Sequence, residues 1–223
     1  MLKLNKINVD IGPVGILKNA SLNLNQGEMV GLIGRNGAGK TTLLKTIMGI
    51  LKTKSGHIQF DENELTILPS EIRANMFIGY MPEDRRLIPS MTSEENIMIP
   101  VWAVNIDDWE KRLKWIYKII PEASDLKDRP STSLSGGQQK LIALSRALMV
   151  GKKLLLLSMR WGGLNLLNEL KEKTIFLIRD PIYTFNSYSG GGWRQEGGNN
   201  RIKFVGAKGP NDKLWIDDIH TKN

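Results

Sequence analysis

The chain has no cysteine, which excludes disulfides and thiolate chemistry and fits a reducing compartment. It has no apolar run approaching the roughly 20 residues needed to cross a bilayer. Any membrane role therefore comes through a partner. The first residues, Met1 to Lys6, alternate like a strand and lack the apolar core of a signal peptide. No basic block is interleaved with aromatics, so the net charge of +8 reads as a solvated surface plus phosphate-binding lysines, with no nucleic-acid partner expected. With 223 residues, 41% of them hydrophobic, the chain suits one domain, or a domain with a subdomain.

What is present is concentrated in residues 29 to 48. An apolar run, Met29 to Ile33, reads as a buried strand. A glycine-rich turn follows, Gly34-Arg35-Asn36-Gly37-Ala38-Gly39, then Lys40-Thr41-Thr42 and apolar residues at helical spacing, Leu43, Leu44, Ile47 and Met48. This is strand, phosphate loop, helix. The glycines let the backbone take turns that a Cβ would block and bring N–H groups close to an anion. With the free N–H groups of the helix starting near Lys40, they form a cradle for phosphate oxygens. Lys40 adds a mobile charge for the β- and γ-phosphates, and the Thr41 hydroxyl is placed for a bridging Mg²⁺.

In chain order, Leu2, Leu4, Ile7 and Val9 predict a first strand, and Leu17, Leu22 and Leu24 a second. Gly49 closes the phosphate-loop helix, Thr53 to Gly56 reads as a turn, and Ile58 and Phe60 as a short strand. Short strands on both sides of the nucleotide motif predict an antiparallel layer added to a parallel α/β core. Phe77 to Met81 predicts a further buried strand, ending in the charged turn Pro82-Glu83-Asp84-Arg85-Arg86. Thr92 to Ile97 has a capping hydroxyl and early acids and predicts a helix start, limited by Pro100. Asp107 or Asp108 caps the next helix, whose apolar face is Trp109, Leu113, Ile116 and Ile120 and which Pro121 stops. Trp109 and Trp115 are packing residues in this scheme. A second small-residue turn, Leu134-Ser135-Gly136-Gly137-Gln138, opens an amphipathic helix and makes a second anion cradle.

The two cradle motifs together resemble the ATP-binding subunit of ABC transporters, whose signature is the second motif. The resemblance runs from the first residues to about Leu157. Residues 78 to 86 and 91 to 96 look most like the branched-chain amino acid transport ATPases, in which a Pro-Glu replaces the usual glutamine. The resemblance implies a P-loop NTPase core, a RecA-like mixed sheet with an antiparallel β layer, over about 1–88 and 150–223, with a helical subdomain over 89–149. It implies ATP and Mg²⁺ as cofactors. Gly34 to Thr42 would bind the nucleotide, with Ile11 at the adenine position. Glu83 would sense Mg²⁺ and γ-phosphate and contact the membrane subunit. Ser135, Gly136, Gly137 and Gln138 would bind the same nucleotide from the other subunit of a head-to-tail dimer. It also implies permease partners and a cytoplasmic position on the inner face of the membrane.

The resemblance breaks after Leu157. The family follows this strand with Asp-Glu-Pro, where the Asp orders Mg²⁺ and the Glu positions or deprotonates the attacking water. This chain has Ser158-Met159-Arg160. The helix that should follow is reduced to the span Asn165 to Lys173, shorter by roughly a dozen residues. The histidine position after the next strand, Thr174 to Ile178, falls near Asp180, and Asn186 to Asn200 is glycine-rich. Arg201 to Gly206 resembles the family's last strand. Three accounts stand side by side. One is a subunit that binds ATP without hydrolysing it. Another is substitution by a different acid, Asp180 or Glu83. The third is a gene read in a shifted frame, since a Ser158 codon ending in G followed by ATG and an AGA or AGG codon spells Asp-Glu one frame over.

Overall fold

The computed structural model describes residues 1–34, 37–158, 174–179 and 202–207. Two sheets organise them. An antiparallel sheet contains β1 (Leu2–Ile11), β2 (Val14–Leu24), β4 (Ser55–Phe60) and β5 (Asn63–Glu64), in the order β2-β1-β4-β5. The second sheet has the order β6-β7-β8-β3-β9, with β3 (Met29–Gly34), β6 (Ile78–Met81), β7 (Leu154–Ser158), β8 (Thr174–Arg179) and β9 (Ile202–Ala207). Each of its pairings is parallel. The expected antiparallel layer on a parallel core is therefore present.

The helices are α1 (Lys40–Ile47), α2 (Ser70–Asn75), α3 (Ser93–Ala103), α4 (Trp109–Ile119), α5 (Pro121–Asp125) and α6 (Gly136–Val150). They divide between two apolar cores. One joins the antiparallel sheet to α1 through Leu43, Leu44 and Ile47. The other gathers α3 to α6 around Ile97, Ile116, Leu144 and Leu148. Strand β7 lies between them. Leu154 and Leu156 enter the first core, Leu155 and Leu157 the second. Alternation thus explains the unbroken leucine run: both faces of this strand are covered.

The apolar pattern of β1 changes phase between Leu4 and Ile7, from even to odd positions. The chain accommodates this with register shifts there. Lys6 takes φ 49° and Asn19 on β2 takes φ 50°. Opposite the irregularity, a Cβ on Gly56 would stand 2.5 Å from the Lys6 carbonyl oxygen, so only glycine fits. Ser55 and Gly56, expected in a turn, are instead the first residues of β4.

Two helix expectations change. Pro100 does not end α3 but lies inside it. The lost N–H removes one ladder bond, and burial of Ile97, Met98 and Val101 against the helical core holds the rest. Asp108 precedes α4 without capping it through its side chain; its carboxylate pairs with Lys152 instead. The Thr92 cap is as expected: its Oγ1 accepts from Glu95 N at 3.2 Å, and Glu95 Oε2 accepts from Thr92 N at 2.7 Å. Trp109 packs on the helical core, and Trp115 does so beneath the Arg112 guanidinium.

The cores meet where α6 crosses β6 at Gly79. A Cβ there would run into the Ala147 carbonyl and lie 2.8 Å from Gly151 Cα. Next to it, the Tyr80 hydroxyl is buried with no hydrogen-bond partner among the described residues, and burial pushes its pKa up to about 12. Adjacent substitutions should therefore act in opposite directions. Gly79→Ala forces α6 off the strand and should cost about 1–3 kcal/mol. Tyr80→Phe removes an unpaired polar atom and should leave stability unchanged or raise it by about 1 kcal/mol. Urea unfolding of both variants checks this, and a loss for Tyr80→Phe as large as that for Gly79→Ala would contradict it.

Candidate functional site

Parallel strands place their carboxyl ends at one sheet edge, where open α/β sheets bind ligands. Strand β3 delivers Gly34 to that edge, β6 delivers Pro82 and Glu83, and β7 delivers Ser158. The register aligns them: Ser158 pairs with Ile178, which pairs with Leu32 on β3. One strand, β8, intervenes, so β3 and β7 lie about 10 Å apart. Ser158 is 4% exposed and shares the parity of Leu154 and Leu156, the face on which α1 packs.

The phosphate turn follows β3. Gly37 has φ +83° and Gly39 φ +87°, conformations that side-chain-bearing residues rarely adopt. A Cβ on Gly39 would stand 2.8 Å from Leu17 Cδ2 on β2, so the turn is pressed against the antiparallel sheet as well. Gly39 is the N-cap of α1, provides no side-chain cap, and no acid occupies the first turn. The helix thus begins with its N–H groups and dipole uncompensated by its own sequence. Lys40 is 9% exposed. Ala38, Thr41 and Thr42 are half-buried around it. Arg35 and Asn36 lie outside the described residues.

Ile11 sits 49% exposed beside Val14 at the tip of the β1–β2 hairpin. The same hairpin contacts Gly39 through Ile16 and Leu17. An apolar surface therefore adjoins the phosphate turn, but it has no aromatic face for a base.

The second cradle opens α6. Ser135 Oγ accepts from Gln138 N at 3.3 Å, and Gln138 Oε1 accepts from Ser135 N at 2.9 Å, a reciprocal capping box. Serine and glutamine are thus occupied with each other. The glycines between them, Gly136 and Gly137, occupy the first two helical positions, whose N–H groups have no acceptor within the helix.

The loop after β6 connects the two regions. Glu83 is exposed. Arg86 Nε pairs with Asp84 Oδ2 at 2.8 Å. Arg85 Nη1 donates to the Gly136 carbonyl at 3.3 Å, touching the second cradle itself. Arg146 of α6 donates to the carbonyls of Arg85 and of Arg86, the latter at 2.8 Å. Buried Asn96 holds Ile88 N at 2.7 Å and Ile88 O at 3.1 Å. Sequence reasoning missed Arg85, Arg146 and Asn96, because arginine and asparagine carry no period that separates a loop clamp from a solvated side chain.

Met159 and Asp180 lie outside the described residues. Among the described residues no cluster of acids and histidines could hold a metal on its own.

Comparison with known proteins decides the family. The pattern of the ABC transporter family matches residues 17–158. The chain belongs to the ABC transporter family. It is 36% identical over 157 residues to a high-affinity branched-chain amino acid transport ATP-binding protein of Pseudomonas aeruginosa, covering 70% of this chain and 67% of that one. It is 31% identical over 162 residues to the lipopolysaccharide export system ATP-binding protein of Escherichia coli K12, covering 72% of this chain and 67% of that one. The chain thus spans about two thirds of the length of these relatives. Among solved structures, an ATP-binding cassette dimer in a post-hydrolysis state with ADP and Pi matches with a TM-score of 0.75 and 25% identity, covering 93% of this chain and 94% of that one. The ABC cassette is thus an ATP-binding subunit with a P-loop core.

The phosphate turn makes a direct prediction. Lys40→Ala removes the charge beside the cradle and should abolish ATP binding while leaving the unfolding midpoint within a few degrees. Calorimetric titration checks it, and retained affinity would remove the phosphate-loop assignment.

Proposed function

We propose that this ABC subunit binds Mg-ATP in its phosphate turn, closes a head-to-tail dimer around it, and passes that closure to permease subunits that import branched-chain or similar amino acids. The observation that carries the binding step is the uncompensated start of α1 behind two left-handed glycines. In this arrangement Gly34 to Thr42 wrap the phosphates, Thr41 and Glu83 would hold Mg²⁺, and Ile11 borders the base. The metal would neutralise phosphate charge. Ser135, Gly136, Gly137 and Gln138 of the facing subunit complete the pocket. Residues 89–149 form the helical subdomain that carries them. Support for amino-acid import is the bacterial amino-acid relative; the lipopolysaccharide export relative supports the same motor with a different cargo. The place of work is the inner face of the membrane, reached through the permease, since no helix among the described residues is long and apolar enough to cross one.

The chemistry departs from the family at Ser158. A buried hydroxyl stands at the end of β7 where a carboxylate would order the metal. A serine oxygen is a weak neutral ligand, and methionine at the next position cannot accept a proton. We therefore infer a subunit that binds and closes but turns over slowly or not at all. It could act as a non-hydrolysing or regulatory partner in an asymmetric dimer. Glu83 and Asp180 are the remaining acids that could serve a hydrolysing site.

Single-turnover assays separate these readings. The purified homodimer should release little phosphate from bound ATP. The double change Ser158→Asp with Met159→Glu should raise release by about 10² or more. Rapid release by the unaltered chain, lost on Glu83→Gln, would replace the non-hydrolysing reading with the hydrolysing one.

A further inference from the structure

Both helices that begin at an anion cradle end on an arginine, buried at α1 and half-buried at α6. At the rear of α1, Arg73 of α2 donates Nη1 to the Thr46 carbonyl at 2.8 Å and to the Ile47 carbonyl at 2.7 Å. Its Nε donates to the Leu68 carbonyl at 2.8 Å. Arg73 is 2% exposed. At the rear of α6, Arg112 of α4 donates Nε to the Leu148 carbonyl at 3.0 Å and Nη2 to the same carbonyl at 2.6 Å. Nη2 also reaches the Gly151 carbonyl at 3.3 Å. Its guanidinium stacks 4.5 Å over the Trp115 ring. Neither arginine has a carboxylate within ion-pair distance among the described residues.

The arrangement is unusual on energetic grounds. Taking a guanidinium out of water without a hydrogen-bonded carboxylate is unfavourable, and burial lowers the pKa of both, offset only in part by attraction to Glu64 for Arg73 and to Asp108 for Arg112. An exposed lysine near the same carbonyls would satisfy the helix dipole at less cost. What a lysine cannot do is bond through two nitrogens of one rigid plane, as Arg73 does with Nη1 on Thr46 and Ile47 and Nε on Leu68, and Arg112 with Nε and Nη2 on Leu148. That grip fixes the helix along its axis and about it. The molecule also makes room for it: Gly49 has φ +76°, and a Cβ there would stand 2.8 Å from Arg73 Nε and 3.0 Å from Cζ.

The geometry points to Arg73 and Arg112 as positioning residues for nucleotide, Arg73 acting through α1 on the phosphate cradle of its own subunit and Arg112 acting through α6 on the cradle offered to the facing subunit. Neither touches nucleotide. Helix α1 is about 12 Å long and α6 about 22 Å, so direct charge effects on the ligand are small beside the effect of holding each helix in register. This rests on the nucleotide and dimer reading above, and it separates the arginines by what each should change.

The experiment uses the full chain and two ligands. ADP affinity, measured by calorimetry on the monomer, reports the α1 cradle. The ATP concentration that half-maximally drives dimerisation, measured by sedimentation, reports both. Arg73→Met should weaken ADP about five- to tenfold, with Arg73→Lys intermediate. Gly49→Ala, which displaces the same guanidinium, should act like Arg73→Met. Arg112→Met should leave ADP affinity within about twofold and raise the ATP requirement for dimerisation about five- to tenfold. If Arg73→Met does not yield folded protein, Arg73→Lys and Gly49→Ala decide that arm. Variants that lower the unfolding midpoint with both binding measurements unchanged would make the arginines plain structural caps and overturn the inference. So would Arg112→Met weakening ADP as much as Arg73→Met. Failure of the unaltered chain to bind ADP would instead remove the nucleotide reading. ADP binding without ATP-driven dimerisation would remove the dimer reading, while the ADP series still decides Arg73.

Discussion

A helix that starts inside a fold leaves its first N–H groups without internal acceptors, and something must answer them. Here α3 answers with the Thr92 side chain and α6 with Ser135, and α2, α4 and α5 carry an acid in the first turn. Among the described α-helices α1 alone has neither: its N-cap is a glycine and its first turn has no acid. That omission organises the rest. The turn before it must be glycine-rich to reach φ values near +85°, and β2 must press against it to hold it in place. The parallel sheet must bring the ends of β6 and β7 to the same edge.

The two cradles differ in kind. At α1 no side chain caps the first turn and no acid lies in it. At α6 the capping box already uses the Ser135 hydroxyl and the Gln138 amide nitrogen. What α6 retains is the pair of glycine N–H groups between them and the positive end of a 15-residue helix. A cradle of this second sort is too weakly equipped to gather a triphosphate alone and suits a supporting role on a ligand held elsewhere.

Much of this was legible in the sequence, because the elements that make the site have strong local signals. The glycine spacing, the lysine and the apolar run before them identify β3 and α1. The leucine run marks a strand at Leu154 to Leu157, and the fold adds that both its faces are covered. Thr92 and Ser135 announce their helices through the residue three positions on. What was not legible depends on distant partners. Pro100 reads locally as a terminator, yet core packing carries α3 through it. Ser55 and Gly56 read as a turn, yet Gly56 is the cross-strand answer to the kink at Lys6. Asp108 reads as a cap, yet Lys152 takes it. The roles of Arg73 and Arg112 left no mark in the sequence because their acceptors are main-chain carbonyls, which no residue pattern reveals.

The loop after β6 shows how the two cradles can be joined mechanically. Its Arg85 side chain reaches the Gly136 carbonyl, and its own carbonyls are held by Arg146 on the helix that Gly136 begins. That helix in turn rests on Gly79 of the strand from which the loop departs. Strand, loop and helix therefore form a closed circuit in which the strand meets the helix backbone to backbone at Gly79 and the loop meets it through the Arg85 and Arg146 side chains. Packed backbone transmits displacement more faithfully than side chains that can change rotamer. Residues 82 to 86 are thereby tied to the start of α6 by two arginine clamps, and Arg112 holds the carbonyls at the far end of the same helix.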